Sequence, residues 1–307
     1  MTETNLSRDR PSLRDWLEAS TAASPGQARA QSAWRGWKRL VANRAAFAGL
    51  VVLVLLVVLA AIGPWLTPYD PLSQNLQERL LPPSGRHWLG TDDLGRDILT
   101  RIIHGSRITL MMAVLVAVIA GPIGLIVGAA AGYLGGWFDV VAMRVVDVFL
   151  SFPSLILALA FVAALGPGIE NAILAISLSA WPPIARLARA EALTVRRSDY
   201  IAAARLQGAS PLRLILRHVL PICIPSVVIR VTLNMASIIL TAAGLGFLGL
   251  GAQPPSPEWG AMLASGRQFM LTNWWLAAAP GAAIMIVSLA FNLLGDGLRD
   301  VLDPRDD

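Results

Sequence analysis

The sequence predicts an all-α protein that crosses a membrane several times. Three observations predict it. Of its 307 residues, 55% are hydrophobic and 15% charged, and the mean hydropathy is +0.59, well outside the balance of soluble domains, where about a quarter of residues are charged. Charge-poor apolar runs recur at roughly the 20 residues that a helix needs to cross a hydrocarbon core. The arginines gather in the segments between these runs.

In chain order the runs lie at 45–66, 108–133, 140–165, 171–187, 222–243 and 274–294, which gives six spans. The first begins too late and is too long for a cleaved targeting peptide, and no small-residue cleavage site follows it, so it reads as a retained anchor. The fourth has a short uncharged core containing Pro182 and Pro183. It is kept because neighbouring helices satisfy backbone groups that proline frees. The chain then divides into a tail (1–44), a first helix (45–66), a loop (67–107), a core of five helices (108–294) that includes a basic loop (188–221), and a second tail (295–307).

Orientation follows from the Lys and Arg distribution, because short loops rich in them stay cytoplasmic. The first tail carries Arg8, Arg10, Arg14, Arg29, Arg35, Lys38, Arg39 and Arg44, and the loop before the fifth span carries Arg186, Arg189, Arg196, Arg197, Arg205, Arg213 and Arg217. The arginines of 67–107 are offset by Asp70, Glu78, Asp92, Asp93 and Asp97. Both termini are therefore placed in the cytoplasm, and 67–107 outside. Residues 1–31 are polar and read as a mobile tail. After them, Trp34, Trp37 and Leu40 can lie along the membrane surface with Arg35, Lys38 and Arg39 toward lipid phosphates; a solvated basic tail is the other reading.

Several functions are excluded or left remote. Lys38 is the only lysine and stands in Arg-Gly-Trp-Lys-Arg, so no phosphate loop ending in Gly-Lys-Ser/Thr exists. His87, His104 and His218 all fall outside the six runs, which gives an intramembrane protease or metal site no support. Cys223, the sole cysteine, allows no intrachain disulfide and reads as an apolar filler. A passive channel or an intramembrane enzyme stays remote, since few polar residues are present to line a pore and no catalytic constellation is visible.

Charges inside spans are costly and are usually paired or functional. In the third span Arg144 and Asp147 share a helix face and can neutralise each other. If the fifth span enters the bilayer at Pro221 and the third at Phe138, Arg230 and Asp147 each lie nine residues in, about 13 Å deep at a rise of about 1.5 Å per residue, so these two can also meet. The sharper reading is that Arg230, with Asn234 one turn on, lines a polar pathway and attracts a substrate carboxylate.

The segment 199–221, DYIAAARLQGASPLRLILRHVLP, is a basic, helix-prone loop between two apolar spans. A helix from Tyr200 to Gln207 ends at Gly208, and Ser210 followed by Pro211 signals an N-cap and first helical position for a second helix through His218. The small residues Ala202, Ala203 and Ala204 permit close approach of another protein. Topology alone explains the arginines but not the helix, glycine, helix pattern.

Here the sequence resembles the permeases of bacterial ABC importers. Ala202-Ala203-Ala204-Arg205-Leu206-Gln207-Gly208, followed after nine residues by His218-Val219-Leu220-Pro221, is similar to their EAA motif, with Ala202 where Glu is usual and His218 where Ile is. His87 to Asp97 (HWLGTDDLGRD), Gly246 to Pro255 with Pro257-Glu258-Trp259-Gly260, and Phe291 to Asp300 with Leu302-Asp303-Pro304 resemble signatures of the peptide/nickel branch, C-type subunit.

The resemblance implies a type I ABC-importer permease fold, MetI-like, with the loop as a coupling element: Tyr200, Ala202, Ala203, Ala204, Gly208, Ala209, Ser210, Leu220 and Pro221 would engage an ATPase. It implies a B-type permease partner, two cytoplasmic ATPases carrying ATP and Mg, and an external binding protein delivering di- or oligopeptides. Nickel complexes, glutathione or D-amino-acid dipeptides are the alternative cargoes. No catalysis, cofactor, metal or nucleic acid is expected for this chain. Asp92, Asp93, Arg96, Asp97, Glu258 and Trp259 either contact the external protein or only shape compact turns.

Overall fold

A computed structural model describes residues 13–19 and 22–302. Arg8 and Arg10 of the basic tail, and Asp303 and Pro304 of the closing signature, lie outside the described residues. The elements are α1 (Leu13–Glu18), α2 (Pro25–Ala42), α3 (Arg44–Leu66), α4 (Ile98–Leu134), α5 (Gly136–Leu150), α6 (Ser154–Leu165), α7 (Ile169–Arg196), α8 (Asp199–Leu206), α9 (Pro211–Leu214), α10 (Leu220–Phe247), α11 (Trp259–Gly266) and α12 (Trp275–Leu302). No strand occurs among the described residues.

Four helices are long and apolar enough to cross a membrane by themselves: α3, α4, α12, and α9 joined to α10; α5 with α6 makes a fifth if that bent pair is one span. The expected third span is thus not one straight helix. It breaks between Leu150 and Ser154 with a 93° bend, because Pro153 disfavours helical backbone at Phe152. The fourth run lies within α7, which is not among the helices apolar enough to cross alone and which continues past the run through Arg189, Glu191 and Arg196.

Other boundaries move as well. α4 starts at Ile98, capped by Asp97, rather than at residue 108, so His104 lies inside a helix, where its Nε2 is 3.2 Å from Thr67 Oγ1. The second helix of the basic loop and the run expected as the fifth span are continuous. Pro221 has no N–H to give to the carbonyl four residues back and crowds it; the wide π turn Ile215–Val219, closed by the Leu220 N–H to the Ile215 carbonyl, carries the chain past it. The tail expected from residue 295 is helical to Leu302, and 25–31, expected to be mobile, is the first part of α2.

The core runs through α3, α4, α6, α7, α10, α11 and α12. Its most extensive pair is α4 with α7. Gly124, Gly128 and Gly132 line up one turn apart on α4, and a Cβ on Gly128 would lie 2.2 Å from the Ala185 carbonyl oxygen. Small residues at that spacing let two backbones touch, which is how helices associate where lipid competes for every apolar surface. α7 is therefore an interior helix, wrapped by α4, α5, α6 and α10.

Candidate functional site

The loop 199–221 is built from local backbone chemistry. Ser198 caps α8, accepting the Ile201 N–H at 3.5 Å. At the other end the Ala209 N–H reaches the Ala204 carbonyl and the Gly208 N–H the Arg205 carbonyl, with Gly208 at φ +80°, the left-handed helix stop that glycine favours. Ser210 then caps α9, accepting the Arg213 N–H at 3.4 Å, with Pro211 in its first turn.

This loop is rigidly seated. Ile201 is fully buried in a small core with Ala129, Tyr133, Ala192, Leu214 and Val219. Arg205 donates to the Tyr133 hydroxyl at 3.3 Å and stands over its ring at 6.0 Å. Tyr200 and His218 meet edge to face with a 2.5 Å hydrogen bond, so the histidine in place of the motif's isoleucine ties α8 to the π turn. Ala202, Ala203, Gly208, Ser210 and Pro221 are exposed, while Ala204, Ala209 and Leu220 are half-buried. Leu206 is 89% and Leu212 66% exposed, an apolar surface the chain does not cover itself.

The pathway candidates separate. Asp147 binds Arg186 of α7 at 2.5 Å, in place of either expected partner, Arg144 or Arg230. The cause is the bend after Leu150, which sets α5 against α7. Arg189 holds Asp139 through two bonds of 2.5 and 2.6 Å, and Ser226 of α10 donates to Glu191 at 2.9 Å. The charges that weaken α7 as a sequence signal are those that fasten it to its neighbours. Arg230 is exposed on α10, Asn234 is half-buried, and neither has a polar partner among the described residues.

At the opposite end, the candidate contact residues are mostly interior. Asp92 accepts the Arg96 guanidinium at 2.7 Å and the Leu94 and Arg96 amides at 2.9 Å. Asp97 caps α4 through Thr100 N–H at 2.7 Å and shares a 2.9 Å hydrogen bond with His87 Nδ1. Glu258 caps α11, accepting the Gly260 and Ala261 amides at 2.8 Å. Trp259 donates to the Ile102 carbonyl at 3.0 Å, over Gly105, where any Cβ would strike the Pro257 carbonyl oxygen. Asp92, Arg96, Asp97, Glu258 and Trp259 are all buried. They shape the turns and join them to α4; of the six, only Asp93 is partly exposed.

Sequence reasoning missed the Asp139 and Arg189 pair, the Glu191 bond to Ser226, and the glycine seam. The seam had a visible signal in the spacing of Gly124, Gly128 and Gly132. The cross-helix pairs had none beyond opposite charges in neighbouring runs.

Residues 120–306 match the family of binding-protein-dependent transport system inner membrane components, and 31–83 match the N-terminal TM domain of oligopeptide transport permease C. The chain belongs to this permease family. It is 48% identical to the probable D,D-dipeptide transport system permease protein DdpC of Escherichia coli, over 83% of this chain and 86% of that one. It is 45% identical to the di/tripeptide transport system permease protein DppC of Pseudomonas aeruginosa, over 88% and 91%. The inward-facing MetNI methionine ABC transporter matches with a TM-score of 0.55 at 23% identity, over 67% of this chain and 98% of the matched one; at that identity the likeness is one of fold. This permease is accordingly a multi-pass inner-membrane protein with the type I ABC-importer architecture.

Proposed function

We propose that this permease forms half of the translocation pathway of an ATP-driven importer of di- or oligopeptides. Relatives of similar length named for dipeptide and di/tripeptide transport support the cargo. In this reading the chain crosses the bilayer six times, with the bent α5 and α6 pair and α7 as the third and fourth crossings and both termini in the cytoplasm. A B-type permease supplies the other half. Two cytoplasmic ATPases bind ATP and Mg, and an external binding protein delivers the peptide. This chain contributes no catalytic residue and no cofactor site.

The observation that carries the reading is the seated helix, glycine, helix loop with Leu206 and Leu212 projecting. An ATPase groove that closes on these leucines moves α8, and α8 carries α4, α7 and α10 with it through Ile201 and Arg205. Such a rigid-body transfer exchanges outward for inward access. Leu206→Asp tests it: the variant is expected to insert normally but to lose co-purification of the ATPases and uptake. A Leu206→Asp complex that assembles and transports overturns it.

Arg230 and Asn234 are the pathway residues of this reading, with Arg230 placed to meet a peptide carboxylate. Arg230→Gln is expected to leave expression and assembly unchanged and to raise the KM for uptake. Failure of that variant to assemble with its partner permease would make Arg230 an interface residue instead.

A further inference from the structure

We propose that α2 lies in the headgroup layer of the cytoplasmic leaflet and binds anionic phospholipid there. Trp34, Trp37 and Val41 share one helix face, and Trp37 and Val41 are 47% and 38% exposed. A second face is already used: a Cβ on Gly36 would lie 3.1 Å from Val301 of α12, and Leu40 is buried beside Gly297. Trp34 is half-buried and donates to Glu18 of α1 at 3.5 Å, but Trp37 and Val41 have no partner among the described residues, while the helix itself is held in place.

Two features specify lipid as the occupant. α2 contains Arg29, Arg35, Lys38 and Arg39 and no acidic residue. Within the hairpin that α1 makes with α2, Glu18 takes up Lys38, which also stands 5.5 Å over the Trp34 ring, but Arg29 and Arg35 remain exposed. Continuity is the second feature. A single residue, Asn43, separates α2 from α3, which it caps, and α3 presents Phe47 and Val51 at its surface. The exposed Trp37 thus lies just before the lipid-facing surface of a membrane span begins, the depth that indole rings favour. Arginines near an anionic leaflet are attracted to it, and an amphipathic helix adds its buried apolar face.

The test uses the assembled transporter in nanodiscs of phosphatidylcholine with or without phosphatidylglycerol. Val41→Cys in a Cys223→Ala background carries a fluorophore. Its emission is expected to be quenched by lipids with headgroup nitroxides, more so with phosphatidylglycerol. That increment is expected to vanish with Arg35→Glu, or in about 1 M salt, where the screening length falls to about 3 Å. Quenching by aqueous iodide that is the same in both bilayers would overturn the proposal in favour of a solvated helix. Protection that requires the ATPase subunits would overturn it in favour of a protein surface.

Discussion

At the residue scale, Gly208 separates shape from bulk. A Cβ there would meet nothing within 4 Å, so space is not what the position requires. Its φ of +80° is. Gly208→Val forces a β-branched residue into left-handed backbone at a cost of about 1–2 kcal/mol, and the loop relieves it by changing course. ATP hydrolysis without uptake in proteoliposomes is the expected result, whereas Gly208→Asn, which tolerates that backbone, keeps the two coupled. Glu258 poses an electrostatic version of the same question. Burial holds its carboxyl above the usual value, against the Gly260 and Ala261 amides that lower it. With the folded pKa above the unfolded one, the charged form costs stability at neutral pH, and the cost disappears as pH falls through the folded pKa toward the unfolded one. Melting curves from neutral pH downward should show this stabilisation in the native chain and its loss in Glu258→Gln, which keeps an oxygen for the cap.

At the element scale the decisive object is the seam of α4 and α7. Gly128→Leu drives a side chain into the Ala185 carbonyl, and no rotamer relieves a clash with backbone. Loss of the folded, monodisperse protein on size-exclusion chromatography is the expected outcome. Gly85→Ala, whose Cβ would lie in open space, should stay within about 0.5 kcal/mol of the native chain. The seam also shows why sequence legibility differs between elements. α3 is apolar on every side and is visible from composition alone. α7 has Arg189 and Arg186 paired with Asp139 and Asp147, and Glu191 accepting from Ser226, all distant in sequence, so its interior place is not visible from its own residues. The loop 199–221 was legible because its caps are local: Ser198, Gly208, Ser210 and Pro211 act on neighbours within a few residues. The break between α5 and α6 was half-visible in Pro153. The direction of the bend, and with it Asp147's true partner, depends on α7.

At the scale of the whole molecule, the two ends use polar residues differently. The end carrying His87, Asp92 and Glu258 buries them as internal braces, while the end carrying α8 and α9 displays leucines and arginines. The first end is a stiff cap and the second a surface built to be gripped. The broken helix pair has a further consequence, for how the protein is made. At about 1.5 Å per residue, α5 and α6 reach about 22 Å and 18 Å, short of a hydrocarbon core about 30 Å thick, and α7 is too charged to partition alone. No single helix between Gly136 and Arg196 is long and apolar enough to cross a membrane by itself, although α5 and α6 are so as a pair. That stretch is expected to enter as a group against a helix already there, and α4, with its glycine face, is the one synthesised just before it. A chain in which α5 to α7 are made before α4 is accordingly expected to insert poorly.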